Sequence, residues 1–303
     1  MDIAVTGSSG FLGSALTAAL TARGDHVVRL VRPGSTGSAG FVGGADTIRW
    51  DPSAGTIDAA SLEGIGAVVN LAGRAIAPQP WTRAYKAEVL GSRVKATTLI
   101  ATTLAGLQRP PSVLVSASAS GYYGNRGNEI LTEQSGPGTG FLAEVCQQWE
   151  AAAAPATEAG IRVAFTRTGI VLSPQGGALG RMLQFFKMGL GGKIGAGTQW
   201  WSWIALEDEI GAFLHLLDGE ASGPFNLCAP HPVTNGELTA SLAAALHRPA
   251  VLTVPKLALR AFGEFADEML LASQRMAPTR LEETGYLFRS VDLLPALTAL
   301  LGR

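Results

Sequence analysis

The chain is poor in charge and in cysteine, and no apolar run in it reaches the length of a membrane span. Only 16% of its 303 residues are charged, against 47% hydrophobic, the balance of a globular core rather than a disordered tail. The formal net charge is -1 and no block of like charges occurs. Nucleic acid is therefore excluded as the expected partner, because phosphate binding needs a clustered positive face. Two cysteines, Cys146 and Cys228, make no disulfide framework and stand at no metal-ligand spacing, so no metal is expected. Charges or turn residues interrupt each apolar stretch before the roughly 18 residues that suggest a span, which argues against a membrane partner. Met1-Asp2 passes straight into a strand pattern, with no basic segment or cleavage motif. The expectation is a cytoplasmic protein, monomeric or homodimeric, that acts on a small molecule.

What is present begins at the third residue. Ile3-Ala4-Val5-Thr6 is a short apolar run that reads as a buried strand. Gly7-Ser8-Ser9-Gly10-Phe11-Leu12-Gly13 follows, then an Ala- and Leu-rich helical pattern from Ser14 to Arg23. Gly24-Asp25 ends it, and His26-Val27-Val28-Arg29-Leu30-Val31 resumes strand character. A glycine cluster between strand and helix in a βαβ unit of about thirty residues is the dinucleotide-binding pattern. Gly7 permits the tight turn, Gly10 lets the backbone approach a pyrophosphate, and Gly13 lets the helix pack on the strand. N–H groups at the helix start then face the anion.

A second absence sets the cofactor preference. No Asp or Glu stands at or beside the end of the second strand, where an acid would bind a ribose 2′-hydroxyl; the strand ends Val31-Arg32. Arg32 suits a 2′-phosphate, so NADP(H) is favoured over NAD(H). A strand end at 48–51, a buried strand running into a small-residue turn at 67–73, and strands at 112–116 and 162–167 alternate with helical patterns at about 82–106 and 141–158. The expected fold is α/β, a doubly wound, mostly parallel Rossmann sheet with a smaller α+β substrate lobe. Residues 1–170 would form the nucleotide domain, with return segments from later in the chain, and 171–303 the lobe and a C-terminal helical module.

Thr6 to Gly13, Asn70-Leu71-Ala72-Gly73 and the Ser-rich strand leading to Tyr123-Gly124 resemble an extended short-chain dehydrogenase/reductase. Closer still is the resemblance to the atypical branch of epimerase family proteins with a C-terminal domain of unknown function. That match is carried by Trp50-Asp51-Pro52, Trp81-Thr82, Ser92-Arg93-Val94, Gly121 to Gly124, Gly140 to Ala143, Trp149-Glu150, Gln199 to Ile204 and Ser273-Gln274-Arg275. The resemblance implies that Asp51 sits near the adenine and that Leu71, Ala72 and Gly73 line the adenosine side. It also exposes a third absence. Short-chain dehydrogenases pair Tyr and Lys one helical turn apart, the ammonium lowering the phenol's pKa. Here Phe141/Val145 or Leu142/Cys146 stand at that spacing, and neither restores a phenol or an ammonium. In the atypical branch Cys often replaces the Lys and an Arg replaces an upstream Asn, which favours Cys146 and makes Arg93 the matching arginine.

The remaining acid/base candidates are Ser118, flanked by Ser116 and Ser120; Tyr122 and Tyr123 after the serine strand; Glu144; and Cys146. Ser118, Tyr122 and Cys146 are the expected catalytic set, with Ser116 on the cofactor side. Each also has a packing explanation, since a lone helical Cys is usually a small buried hydrophobe. In 199–204, strand alternation puts Trp201 and Trp203 on one face, an aromatic wall for a substrate, with Trp200 and Ser202 on the other. The resemblance places an arginine that grips a diphosphate in this stretch of sugar-nucleotide epimerases. This sequence has none, leaving Lys193, with Arg181 and Lys187, as possible phosphate partners. Helices are expected at 183–192, 207–217 and 235–246, the last capped by Thr234 or Asn235, and a mostly helical module at 256–280. Two functions remain open: an NADP(H)-dependent oxidoreductase or epimerase with non-standard acid/base groups, and a catalytically silent NADPH-binding sensor or interaction protein.

Overall fold

The computed structural model describes residues 1–34, 46–77 and 79–302. It has two compact units, the first comprising 1–118, 145–166 and 213–224, the second 119–144, 167–212 and 225–303.

The chain starts with β1 (Asp2–Thr6), α1 (Phe11–Arg23), β2 (His26–Val31), β3 (Thr47–Asp51), β4 (Thr56–Ile57), β5 (Ala67–Asn70), α2 (Arg83–Ala105) and β6 (Val113–Ala119). Then come β7 (Ile130–Leu131), α3 (Phe141–Ala151), α4 (Ala154–Glu158), β8 (Arg162–Thr168), β9 (Ile170–Ser173) and α5 (Gly177–Lys187). They are followed by β10 (Gly192–Ile194), β11 (Trp200–Trp201), β12 (Trp203–Ala205), α6 (Leu206–Asp218) and β13 (Gly223–Leu227). The last are β14 (Val233–Thr234), α7 (Asn235–Leu246), β15 (Leu252–Val254), α8 (Lys256–Leu259), α9 (Glu264–Met269), β16 (Arg275–Met276), α10 (Thr279–Glu283) and α11 (Leu293–Leu300).

Among the described residues, eight strands form the main sheet in the order β13-β8-β6-β5-β1-β2-β3-β4. The pairings β6/β5, β5/β1, β1/β2 and β2/β3 are parallel, and β4 is an antiparallel edge. This is the doubly wound sheet expected. Its central strands are apolar on both faces, Ile3, Ala4, Val5, Val68 and Val69 being fully buried, as a sheet covered by helices on each side requires. One core joins Val28, Leu30, Ile48, Trp50 and Leu114 to Ala96, Ile100 and Leu104 of α2 and to Ala153, Ala156 and Ile161. From β1 the chain runs outward to β2 and β3, then returns to the other side of β1 as β5. The order therefore reverses between β1 and β5, where ligands of open α/β sheets bind.

Thr82 caps α2, its Oγ1 accepting the Tyr85 N–H at 3.1 Å, so this helix follows its pattern closely. The single helix expected over 141–158 is instead two. Pro155 stands in the first turn of α4, and α3 stops at Ala151, where a continuing helix would meet the ring's clash and missing N–H.

The second unit is built from two-stranded pairings: β9 with β12, β10 with β15, β11 with β14, and β7 with β16. Its core joins Leu172, Leu179, Leu183 and Phe186 to Trp201, Trp203, Leu238, Leu242 and Leu297. Thr234 and Glu237 form a capping box on α7. The helix expected at 183–192 lies earlier, at Gly177–Lys187, because residues from Gly192 pair with β15 instead. The module at 256–280 is less helical than expected, since Arg275 and Met276 pair in parallel with Ile130 and Leu131.

Candidate functional site

At the switch point, Thr6 of β1 lies opposite Asn70 of β5, and Ser116 lies opposite Asn70 on its other side. Thr6 Oγ1 donates to Asn70 Oδ1 at 2.8 Å and accepts the N–H groups of Leu71 (3.0 Å) and Ala72 (3.1 Å). Asn70 Nδ2 donates to Thr97 Oγ1 at 2.8 Å and approaches Ser116 Oγ at 3.4 Å; Trp149 Nε1 also donates to Thr97 Oγ1, at 3.0 Å. Thr6, Asn70, Thr97 and Ser116 are all fully buried, so this chain of donors and acceptors fixes where β1 ends and the 71–73 turn begins.

Beyond Thr6 the turn demands glycine. Gly7 has φ +63°, and a Cβ there would lie 2.8 Å from Leu71 O. A Cβ on Gly13 would lie 2.1 Å from Gly7 O, so the first turn of α1 rests directly on the loop. Gly10 and Ser9 are exposed, while Ser8 is buried. Helix α1 starts at Phe11 with no side-chain cap and no acid in its first turn. Its leading N–H groups thus remain for an external anion, where the helix dipole favours one. These residues fit a dinucleotide pyrophosphate. Leu71 and Ala72 are half-buried and Gly73 is exposed; a Cβ on Gly73 would touch the Arg93 guanidinium, at 3.2 Å from Cζ. Arg32 is exposed just past β2. Asp51 Oδ1 accepts the N–H groups of Ser53 (2.9 Å) and Ala54 (3.2 Å), which closes the turn after β3.

Three further candidates lie in the same unit. Arg93 of α2 is buried; its Nη1 donates to Arg74 O (2.9 Å) and Val89 O (3.1 Å), and its guanidinium covers the Trp149 ring at 4.9 Å. Burial pulls its pKa down, and the neighbouring Cys146 and Tyr85 oppose that shift. Arg93 and Cys146 are therefore electrostatic neighbours. Cys146 itself is buried. Ser118 Oγ donates to Glu150 Oε1 at 2.6 Å. Glu150 follows Cys146 by four residues on α3, one turn along the same face.

Tyr122 and Tyr123 belong to the second unit. Tyr122 is half-buried beneath the Arg167 guanidinium, 3.4 Å from its ring centroid. Tyr123 is fully buried; its hydroxyl donates to Asn226 Oδ1 (2.7 Å), approaches Thr132 O (3.1 Å) and accepts from Arg167 Nη1 (3.1 Å). Burial pushes its pKa up to about 12, partly offset by Arg167. Glu133 Oε1 accepts the Asn226 N–H, whereas its buried Oε2 has no partner, and desolvation raises its pKa. Glu209 of α6 accepts from Thr168 Oγ1 at 2.8 Å, its other oxygen is unpartnered, and burial raises its pKa to about 8. Cys228, buried near Glu133, Glu282 and Glu209, is held well above the usual thiol range, chiefly by desolvation. Burial thus shifts each of these groups toward its protonated form.

The tryptophan run separates by burial. Trp201 and Trp203 both pack into the second unit's core, and Trp203 Nε1 donates to His231 O at 3.0 Å. Neither offers a free ring face, because the face that alternation gives both residues is the one turned into this core. Trp200 lines a cavity of about 450 Å³ together with Asn128, Thr198, Gln199, Leu271 and Ser273. Lys193 is exposed, its Cδ 3.3 Å from where a Gly197 Cβ would lie. Sequence reasoning gave no role to Thr97, Glu150, Glu133, Arg167, Glu209 or Asn226. A polar residue ending an apolar strand, as Asn70 ends β5, is the signal that marks the switch-point network.

Residues 3–228 match the NAD dependent epimerase/dehydratase family, and 254–300 match a domain of unknown function, DUF1731. An epimerase family protein of Mycobacterium bovis is 44% identical over 97% of this chain and 96% of its own length. The crystal structure of human epimerase family protein SDR39U1 (isoform 2) with NADPH matches at 35% identity, covering 99% of each chain, with a TM-score of 0.88. A nucleoside-diphosphate sugar epimerase from Corynebacterium glutamicum is 38% identical with a TM-score of 0.78, this chain covering 58% of it.

Proposed function

Because the chain belongs to the NAD dependent epimerase/dehydratase family, we propose that it binds NADPH at the Gly7–Gly13 turn and acts as an oxidoreductase or epimerase on a small molecule. The observation that carries this reading is the uncapped first turn of α1, seated on Gly7 at the β1/β5 switch point. Phe11, Leu12 and Gly13 would present N–H groups to the pyrophosphate, and Leu71, Ala72 and Gly73 would border the adenosine. Arg32 would meet the 2′-phosphate, whose charge a guanidinium fork suits. The human relative crystallised with NADPH agrees with this cofactor. When bound, the nicotinamide supplies or accepts hydride. The chain's own part is proton handling: Ser118 with Glu150 forms one relay, and Cys146 beside the Arg93 cation forms the other candidate acid.

A second reading has its own support. The Ser118 proton is already directed to Glu150, and Cys146 is only 3% exposed, as befits a cofactor-binding protein without turnover. Deuteride transfer from 4-deuterated NADPH to a carbonyl panel separates the two. The enzyme reading expects Ser118→Ala, Tyr122→Phe or Cys146→Ala to lower transfer by about 100-fold, the lower range for a lost proton-transfer group, with NADPH affinity unchanged. Tight NADPH binding without transfer to any member of a broad panel supports the silent binder.

A further inference from the structure

Trp149 stands among the α3 residues that carry the proton-transfer reading, with Cys146 three positions before it and Glu150 next to it. It is only 6% exposed, and its indole grips α2 at two points. Nε1 donates to Thr97 Oγ1 at 3.0 Å, and the Arg93 guanidinium covers the ring, 4.9 Å from its centroid. Arg93 and Thr97 are four residues apart, so one indole spans one turn of α2. Thr97 also accepts from Asn70 Nδ2, at 2.8 Å. Asn70 Oδ1 accepts from Thr6 Oγ1, which receives the N–H groups of Leu71 and Ala72. A continuous row of hydrogen bonds thus runs from the 71–72 turn to α3, all of it within the first unit.

The hydrogens of this row have one arrangement. An indole N–H and a side-chain amide NH2 can only donate, so Thr97 Oγ1 accepts both and its lone pairs are used. Val in its place would strand two buried donors, whereas Ser keeps the acceptor. The register of α3 follows from the same contacts. Sliding a helix by one residue moves it about 1.5 Å and turns it by about 100°. That shift takes the indole off both α2 contacts and carries Glu150 off Ser118, whose Oγ donates to Oε1 at 2.6 Å. We propose that Thr97 and Trp149 are positioning residues that lock α3 to the switch-point strands. They hold Glu150 on Ser118 and Cys146 beside Arg93, which rests on reading Ser118 and Cys146 as proton-transfer groups.

Carbon-13 NMR of the Glu150 side-chain carboxyl tests the lock in the full chain before NADPH is added. Glu150→Gln identifies the signal, and Ser118→Ala calibrates the loss of the Ser118 donor. Trp149→Phe keeps a ring for Arg93 to cover and removes only the N–H. It should move the Glu150 signal in the direction that Ser118→Ala moves it, and Thr97→Val should do the same. Thr97→Ser should leave the signal near its wild-type position. In deuteride transfer, Trp149→Phe should lower kcat about tenfold, inside the roughly 100-fold that a 1 Å misplacement can cost, with KM and NADPH affinity within about twofold. A purely structural role would lower the melting temperature of Trp149→Phe and leave both the Glu150 signal and kcat unchanged, which would overturn the proposal. Equal movement of the signal in Thr97→Ser and Thr97→Val would overturn it too. Absence of transfer by the wild-type chain counts against the proton-transfer reading alone, since the carboxyl signal still decides whether Trp149 holds Glu150.

Discussion

At the ends of β1 and β5, the buried atoms of Thr6, Asn70, Thr97 and Ser116 are joined donor to acceptor, and the unused N–H groups lie outward, at the exposed start of α1. In the second unit the unused atoms lie inward: Glu133 and Glu209 each bury one carboxylate oxygen without a partner, and both are shifted toward the neutral form. The first arrangement leaves backbone polarity for a ligand, while the second stores a desolvation cost in the core. Capacity to bind an anion follows from where unsatisfied groups point, more than from how many polar residues a unit holds.

The comparison is broken most severely by closing the turn. Gly13→Val places side-chain atoms against Gly7 O and should weaken NADPH binding by about 100-fold or more, roughly 3 kcal/mol, in calorimetry. Circular dichroism should show the sheet intact. Next, Asn70→Leu strands the donors and acceptors of its network and should destabilise the fold by about 2 kcal/mol in urea unfolding, the scale of unsatisfied buried polar groups. Arg32→Ala tests selectivity without touching the turn. NADPH affinity should fall by about tenfold, near 1.4 kcal/mol, while NADH affinity holds; an unchanged ratio would remove Arg32 from the 2′-phosphate.

The smallest effect sharpens the other side. Glu209 has a folded pKa of about 8, above its ordinary value of 4.5, so the native state holds the proton more tightly than the unfolded chain. Its contribution is complete below about pH 4.5 and is lost as pH rises through about 8. Glu209→Gln, which can still accept from Thr168, should flatten the fall in melting temperature between pH 5 and pH 8 by a few degrees. Parallel curves for the two proteins would place the titrating group elsewhere.

The nucleotide half was legible in the sequence because its chemistry is local. Strand, glycine turn, helix and second strand fall within 31 residues, and the burial of β1 and the cap of α2 follow from their own patterns. The second unit was not, because its contacts join residues far apart in sequence: Asn226 meets Glu133 across 93 positions, and Trp200 meets Ser273 across 73. Alternation separates Trp200 from Trp201 and Trp203, but no local period reports which of the two faces meets the core. That is set by contacts far along the chain, such as those of Ser202, whose hydroxyl donates to Gln274 O and accepts from Met276 N–H. The split of α3 from α4 was readable at Pro155, a signal outweighed by the alanine run around it.

The most direct test of the central claim is titration calorimetry of the full chain with NADPH and then NADH. One saturable site, with NADPH tighter by about tenfold or more, is the result expected from the Gly7–Gly13 turn and Arg32. Absence of saturable binding by either nucleotide would contradict the assignment of that turn, and equal affinities would contradict the role of Arg32.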